Sequence, residues 1–503
     1  MRVLSKNSIY IITAVALAAL AFSTLNFYIL GFFYIAPYFL FLIKNDDLKT
    51  LLWGSFVFCF LFLIATAYVT FEPLLFLASS AIFLGLPVSF FLIKKLIREK
   101  FAMFSLPVIW TFWNIVWAYY SPLPFTVLTA GNTLGISPFV GIAATGGIIA
   151  LTLFTAIVNF LVMLFLLNIK PGFNKKSFLI FTIALLIISG GYIYSKTQLK
   201  INSRHYLNLK NTINVASVSI NSDFDKNFDV FKNDELSSEE KIKAIPLIQS
   251  TLEPIKEGLK NKNSDLIILP EDMIDITSKN DTDEEAYQKY QITNAGILIR
   301  AYREMAKELN SNILSIMTTI KYDKRSISGI LFDKKGEISG VYDKSTLTIG
   351  SEYWPFKNWR PFYYNWIGQI IPDIKDDSPI FDQKYSYQAG KMTVLKNNYL
   401  PEIASPICVE IFYPEKLKEF RNLGAKIIIH SSSNVWTVAY GLNSYLKLSD
   451  RIRIIESVWL KTPVIFNGRS EMAGIVTPGG NIEKQAYEAN NKNFGIKFTD
   501  LKF

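Results

Sequence analysis

Seven stretches within the first 195 residues are apolar enough and long enough to cross a bilayer, at about 8–24, 27–43, 50–70, 74–94, 102–119, 142–168 and 177–195. A spanning helix needs roughly 20 mostly apolar residues, because the hydrocarbon core is about 30 Å thick. The first two stretches are separated only by Ser23 to Asn26, which predicts a tight hairpin. No small-residue cleavage site precedes it, so a retained first span is expected rather than a cleaved leader.

Charge divides the chain in the same place. Residues 1–198 hold 12 Lys and Arg against four acids, Asp46, Asp47, Glu72 and Glu99. The whole chain has 52 basic and 42 acidic residues, so the remainder carries 40 and 38. The two parts are therefore +8 and +2. The basic balance belongs to the membrane part and gives no reason to expect a nucleic-acid partner. Two domains are expected, a membrane domain over 1–198 and a soluble one over 199–503.

The loops also alternate. Arg2 and Lys6 precede the first span, Lys44 and Lys49 follow the second, Lys94, Lys95, Arg98 and Lys100 follow the fourth, and Lys170, Lys175 and Lys176 follow the sixth. The intervening loops have no Lys or Arg. Basic loops stay in the cytoplasm, so seven crossings put residues 199–503 outside. In a Gram-negative bacterium that is the periplasmic face of the inner membrane. The uncharged segment 120–141 reads either as a loop dipping into the outer leaflet or as an ordinary connector.

Beyond residue 212 short apolar runs alternate with amphipathic stretches. Asn214–Ile220, Asp265–Leu269, Ile313–Thr319, Ser328–Phe332, Gly340–Tyr342, Met392–Leu395, Ile403–Cys408, Ala425–His430, Val464–Asn467 and Gly474–Thr477 read as strands. Residues 239–262, 284–309, 414–423 and 443–460 have helical periodicity. Helix–strand alternation mixed with hairpin pairs, as around Asp333 to Gly336, predicts a layered α/β domain.

Three apolar runs end in a chemically capable residue. Leu266 to Pro270 delivers Glu271, Val341 to Asp343 delivers Lys344 with Glu352 and Tyr353 beyond, and Pro406-Ile407 delivers Cys408 with Val409 and Glu410. Strand ends are rigid and open onto crevices. A carboxylate can take the proton of a Cys nucleophile, and an ammonium beside it favours the thiolate and an oxyanion. Cys59 lies inside the third span and reads as a small membrane hydrophobe, leaving Cys408 as the soluble half's one thiol. With two Cys and two His, His205 and His430, no zinc site of the usual kind is expected.

The order and setting of these residues resemble the carbon–nitrogen hydrolase (nitrilase) superfamily, whose triad is Glu–Lys–Cys, and within it the apolipoprotein N-acyltransferases. The likeness is carried by Ala18 to Ser23, Leu106-Pro107 with Trp110-Thr111, Tyr342 with Lys344, Glu352-Tyr353, Ile407 to Glu410, Ser433 to Trp436, and Arg453 with Glu456. It implies a nitrilase-like αββα sandwich behind a polytopic helical membrane domain. It further implies ping-pong acyl transfer, without metal or organic cofactor, from a phospholipid to the N-terminal amine of a diacylated apolipoprotein. Cys408 would be the nucleophile, Glu271 the acid/base, Lys344 the oxyanion partner, and Glu352 and Glu410 supporting acids. Tyr353, Val409 and Trp436 would touch substrate.

Several positions are this chain's own: Ile349-Gly350-Ser351 before Glu352, Val409, Asn434, Tyr445-Leu446, and Phe466 to Glu471. No apolar stretch follows the soluble half, which predicts seven spans and an external C-terminus. A membrane-tethered amidase, an acyltransferase with another amine acceptor, and a non-catalytic lipid-binding relative are the alternatives. The insertion 345–390, with Tyr353, Trp354, Trp359, Tyr363, Tyr364 and Trp366, reads as a lid at the membrane interface or as a packed aromatic loop.

Overall fold

The computed structural model describes every residue except 1, 26, 68–72, 122–124, 170–173, 222–237, 261, 275–280, 323, 350–351, 355–386, 435–442 and 485–493. Trp436 and the lid residues Trp359, Tyr363, Tyr364 and Trp366 lie outside the described residues.

The N-terminal part is helical: α1 (Arg2–Ala21), α2 (Ile35–Lys44), α3 (Leu48–Ala67), α4 (Pro73–Phe83), α5 (Gly85–Leu96), α6 (Glu99–Ala102), α7 (Leu106–Tyr120), α8 (Ala143–Asn168) and α9 (Lys175–Leu207). Five segments, 48–66, 74–96, 99–120, 140–168 and 175–207, are long and apolar enough to cross a membrane. Two shorter apolar helices, 8–21 and 28–44, correspond to the expected first hairpin. At 1.5 Å per residue α9 is roughly 50 Å long, more than one bilayer core. Its C-terminal half packs against the later part of the chain, where the Asn202 amide donates to the Val458 carbonyl at 3.0 Å.

The soluble half follows the predicted alternation. Its strands are β1 (Thr212–Ile220), β2 (Leu266–Ile268), β3 (Asn312–Lys321), β4 (Lys324–Phe332), β5 (Ile338–Asp343), β6 (Leu395–Asn397), β7 (Leu400–Ala404), β8 (Ile427–Ser433), β9 (Val464–Arg469), β10 (Glu471–Val476), β11 (Ile482–Lys484) and β12 (Phe494–Lys502). They form two leaves, β5-β4-β3-β2-β1-β12 and β6-β7-β8-β9-β10-β11, which touch edgewise at Ile220 and Arg469. The helices are α10 (Ser238–Leu259), α11 (Glu284–Tyr290), α12 (Gly296–Leu309), α13 (Pro414–Asn422) and α14 (Asn443–Leu460).

Side-chain alternation explains the layering. Successive strand residues point to opposite faces. Val215, Leu266, Ile268, Leu314 and Ile316 pack toward Ile403, Ile427 and Ile465 of the other leaf. Their neighbours Ala216, Val218, Ile267, Leu269 and Ile313 pack under Ile248, Leu252, Leu298 and Tyr302 of α10 and α12. Both faces are buried, which is why these strands read as unbroken apolar runs. The result is the expected αββα sandwich.

Local differences from the sequence reading have physical causes. The predicted helix 284–309 is broken, with Gln291 and Ala295 in the left-handed region at φ 58° and 62°. Between them Ile292 bridges to Lys321, and the Asn294 side chain accepts the Ile320 amide, so β3 captures the segment. The strand expected over Ile403–Cys408 ends at Ala404, and Cys408 opens a 3-10 turn, Cys408–Phe412. The strand expected over Met392–Leu395 begins at Leu395. Strands β11 and β12 were not expected.

Among its described residues the segment 120–141 is packed against the rest of the chain. Its 3-10 turns bury Leu128, Thr129, Ala130, Asn132, Thr133 and Leu134 beneath the sandwich. Gly135 lies against the backbone of α14, where a Cβ would come within 2.8 Å of the Arg451 Cα and carbonyl. Gly147, at a kink in α8 with φ 59°, admits the Trp459 ring. Arg451 donates to the Ala21 and Ser23 carbonyls at 3.2 and 3.4 Å, and Lys447 to Thr24 at 2.6 Å. Helix C-termini leave such carbonyls unsatisfied, so α14 caps α1 and ties the sandwich to the N-terminal helices.

Candidate active site

The loops after β2, β5 and β7 converge on one buried cluster. Glu271 follows Pro270 at the end of β2, where the Asp272 amide donates to the Ile316 carbonyl and Arg469 donates to the Asp272 carbonyl. The Glu271 carboxylate is 4% exposed and accepts the Ser433 amide from the end of β8 at 2.7 Å. Lys344 directly follows β5 and its ammonium is fully buried. Its backbone amide donates to the Ile327 carbonyl, its side chain pairs with Glu352, and Glu352 also accepts the Thr348 amide at 2.9 Å.

Cys408 sits at φ 51°. Such a conformation costs of order 1–3 kcal/mol for a residue with a side chain and persists only where its surroundings enforce it. Two partners enforce it here. Glu410 reaches back to accept the Ile407 amide at 2.9 Å, and the same carboxylate accepts from Ser345 N (2.8 Å), Ser345 Oγ (2.7 Å), Thr346 N (3.0 Å) and Tyr342 Oη (2.8 Å). Glu410 therefore ties the Lys344 loop to the Cys408 turn. On the other side, His430 Nε2 lies 2.8 Å from the Cys408 carbonyl oxygen.

Glu271, Lys344 and Cys408 perturb one another's protonation. Burial pushes the Glu271 carboxyl up to about 7; the Lys344 ammonium opposes this and Glu352 adds to it. Burial pushes the Cys408 thiol up, as do Glu271 and Glu352, while Lys344 and a hydrogen bond from the Val409 amide pull it down. Burial disfavours the Lys344 charge, but Cys408, Glu352 and Glu271 outweigh that and hold the ammonium above its ordinary range. A base half-ionised near neutrality beside a thiol that keeps its proton at rest suits proton transfer during attack, with the ammonium ready for negative charge on oxygen.

The other predicted residues fall around this cluster. Tyr353 is half-buried and bridges to Ile349; Trp354 is buried. The Val409 side chain is in the core, and its amide is the part that faces the sulfur. Sequence reasoning placed Tyr342 and Ser433 in family-like motifs and weighed His430 only as a metal ligand, without giving any of the three a role in the site. The polar ending of the apolar run Ile427-Ile428-Ile429-His430 was the available signal for the last.

Residues 215–457 match the carbon-nitrogen hydrolase family. The chain carries a carbon–nitrogen hydrolase domain. That family works through a catalytic Cys, and its nitrilase-like fold is the layered sandwich described above. Similar solved structures include Nit3 of Saccharomyces cerevisiae, a member of branch 10 of the nitrilase superfamily, at 15% identity over 58% of this chain and 91% of that one, TM-score 0.37. They also include an amidase from Nesterenkonia sp. at 14% identity over 59% and 93%, TM-score 0.36. A carbon-nitrogen hydrolase from Helicobacter pylori G27 has 13% identity over 58% and 89%, TM-score 0.35. No curated protein matches the sequence.

Proposed function

We propose that the protein is a membrane-embedded acyltransferase that moves a fatty acyl group from a phospholipid, through a thioester on Cys408, to the N-terminal amine of a diacylglyceryl-cysteine apolipoprotein. Glu271 takes the thiol proton as Cys408 attacks the ester carbonyl. Lys344 balances the oxyanion, and Glu271 returns the proton to the departing lysophospholipid oxygen. The incoming amine then loses a proton to Glu271 and displaces the thiol. Glu352 and Glu410 hold Lys344 and the Cys408 turn, and Tyr353, half-buried beyond Glu352, would touch substrate.

The observation that carries this reading is the seat of the nucleophile on the membrane domain. The Thr126 hydroxyl, in the 120–141 segment, bonds the Phe412 carbonyl at the end of the Cys408 turn. Helix α14 meanwhile binds the end of α1 and fills the kink of α8. An enzyme for acyl chains gains from such a seat, since extracting lipid costs roughly 0.8 kcal/mol per CH₂. The sandwich then lies on the extracytoplasmic face of a bacterial inner membrane. The test offers a synthetic diacylated lipopeptide and phosphatidylethanolamine to the purified chain: N-acylated peptide supports the reading, and an acyl-enzyme that never transfers to it refutes the acceptor.

A second acceptor, another amine or water, is favoured by one local feature. Glu471, in the stretch where the chain departs from the related acyltransferases, accepts from Asn434 and Ser432 at 2.9 and 3.1 Å. This carboxylate is buried, on partners at the end of the strand that also supplies the Ser433 amide to Glu271.

A further inference from the structure

Behind the nucleophile lies a buried polar chain that the acyl-transfer scheme does not use. His430, at 2% exposure, contacts the Cys408 carbonyl oxygen through Nε2 at 2.8 Å. Its Nδ1 faces two donors of Arg453, Nε at 3.1 Å and Nη2 at 2.9 Å. A guanidinium only donates, so Nδ1 accepts and the ring proton sits on Nε2, where it is given to the Cys408 carbonyl. Arg453 is itself fixed. It pairs with Glu471 at 2.5 and 3.0 Å and with Asp450 at 3.2 Å, and its guanidinium lies 4.3 Å from the Phe466 ring centroid. Lys484 holds the other Asp450 oxygen at 2.6 Å.

The carbonyl that His430 engages belongs to the same peptide unit as the Val409 amide, the backbone donor that favours the Cys408 thiolate. Hydrogen bonds linked through one peptide polarise each other. We propose that His430 is a positioning residue: through the Cys408–Val409 peptide it transmits the buried Arg453 charge to the nucleophile and locks the left-handed turn that aims it. The inference rests on Cys408 being the nucleophile and adds the means by which the turn is tuned.

The groups facing each member from the surrounding elements fix the expected pH behaviour. The sulfur faces Glu271 after β2, Lys344 and Glu352 after β5, and Tyr445 on α14. His430 faces Arg453 on α14 and, more distantly, Lys344. Burial and both cations oppose protonation of the imidazole, which stays neutral across the working range. Its donor role is therefore constant with pH, and only the thiol and Glu271 titrate.

The test follows iodoacetamide modification of Cys408 by peptide mass mapping, in the full chain in detergent, from pH 5 to 9. In His430→Leu the rate at pH 7 is expected to fall about tenfold, with the profile displaced upward by about one pH unit. His430→Gln, which keeps an N–H where Nε2 stood, is expected to recover to within about threefold of native. A folded His430→Leu protein with native rate and profile overturns the proposal. Should that variant not fold, the native protein decides, because it has only two histidines. The ¹⁵N imidazole spectrum, assigned with His205→Gln, must show one ring as the neutral Nε2–H form from pH 5 to 8; a charged or Nδ1–H ring at His430 overturns it. A native thiol inert at every pH removes the nucleophile reading as well, whereas a reactive thiol indifferent to His430 removes this inference alone.

Discussion

Glu271→Gln separates the charge of the proposed base from its packing. The amide is nearly isosteric and its oxygen still accepts the Ser433 amide, the bond that holds the native carboxylate at 2.7 Å. What disappears is a carboxyl that burial has raised from about 4.5 to about 7. The folded state therefore binds this proton more tightly than the unfolded chain does. The stability it brings is complete below about pH 4.5, is lost as pH rises through about 7, and is constant above. A displacement of that size is worth about 3 kcal/mol. Native protein taken from pH 5 to pH 8 should thus lose more stability than Glu271→Gln does, by about 3 kcal/mol or roughly 6 °C in melting temperature for a domain of this size. Acylation should behave oppositely. The ionised fraction of Glu271 rises from about a tenth at pH 6 to about nine-tenths at pH 8, so the native rate should climb nearly tenfold, while the variant is flat and 10²–10⁴-fold slower, as roughly expected for loss of a general base. Thermal melts in detergent at both pH values, with single-turnover acylation on the same samples, measure the two together. Equal melting shifts in both proteins, or a variant that keeps the native pH–rate curve, would refute the reasoning.

Three further outcomes are expected. Glu352→Gln removes a negative charge that raises Glu271, so the acylation inflection should move below pH 7 in a rate profile; an unmoved inflection contradicts the coupling. Glu410→Gln turns an amide donor toward a ring of donors that includes the Ile407, Ser345 and Thr346 amides, and should cost about 2–4 kcal/mol in denaturant unfolding. Gly135→Ala puts a Cβ 2.5 Å from the Arg451 Cβ and should loosen α14 from the membrane domain. Faster limited proteolysis between the domains is expected, with slower acylation from phospholipid but unchanged labelling of Cys408 by a water-soluble thiol reagent.

What the sequence disclosed and what it concealed follow one physical division. Glu271, Lys344 and Cys408 were legible because each ends an apolar run, and runs buried on both faces mark central strands whose ends are fixed. The αββα layering came from family resemblance, and the alternation between the two cores explains it afterwards. The bonds that tune the site join residues far apart in the chain: Ser433 to Glu271, Tyr342 to Glu410, and Arg453 to His430 to Cys408. No local periodicity encodes such pairs. The early end of β7 had no signature either, since it follows from the turn that Cys408 must adopt. β12 was missed although Phe494, Ile496 and Phe498 alternate, because charged residues among and around them read as a polar tail. In the 120–141 segment the sequence left two readings open, and it did not disclose that Gly135 serves close backbone approach to α14.

The central claim is a thioester on Cys408 drawn from membrane lipid. Intact mass spectrometry of the full chain after incubation with phosphatidylethanolamine, beside Cys408→Ala, tests it most directly. The expected result is a hydroxylamine-sensitive acyl adduct on the native chain alone. A native chain that is folded and thiol-reactive yet acquires no adduct, or an adduct equally present in Cys408→Ala, would contradict it.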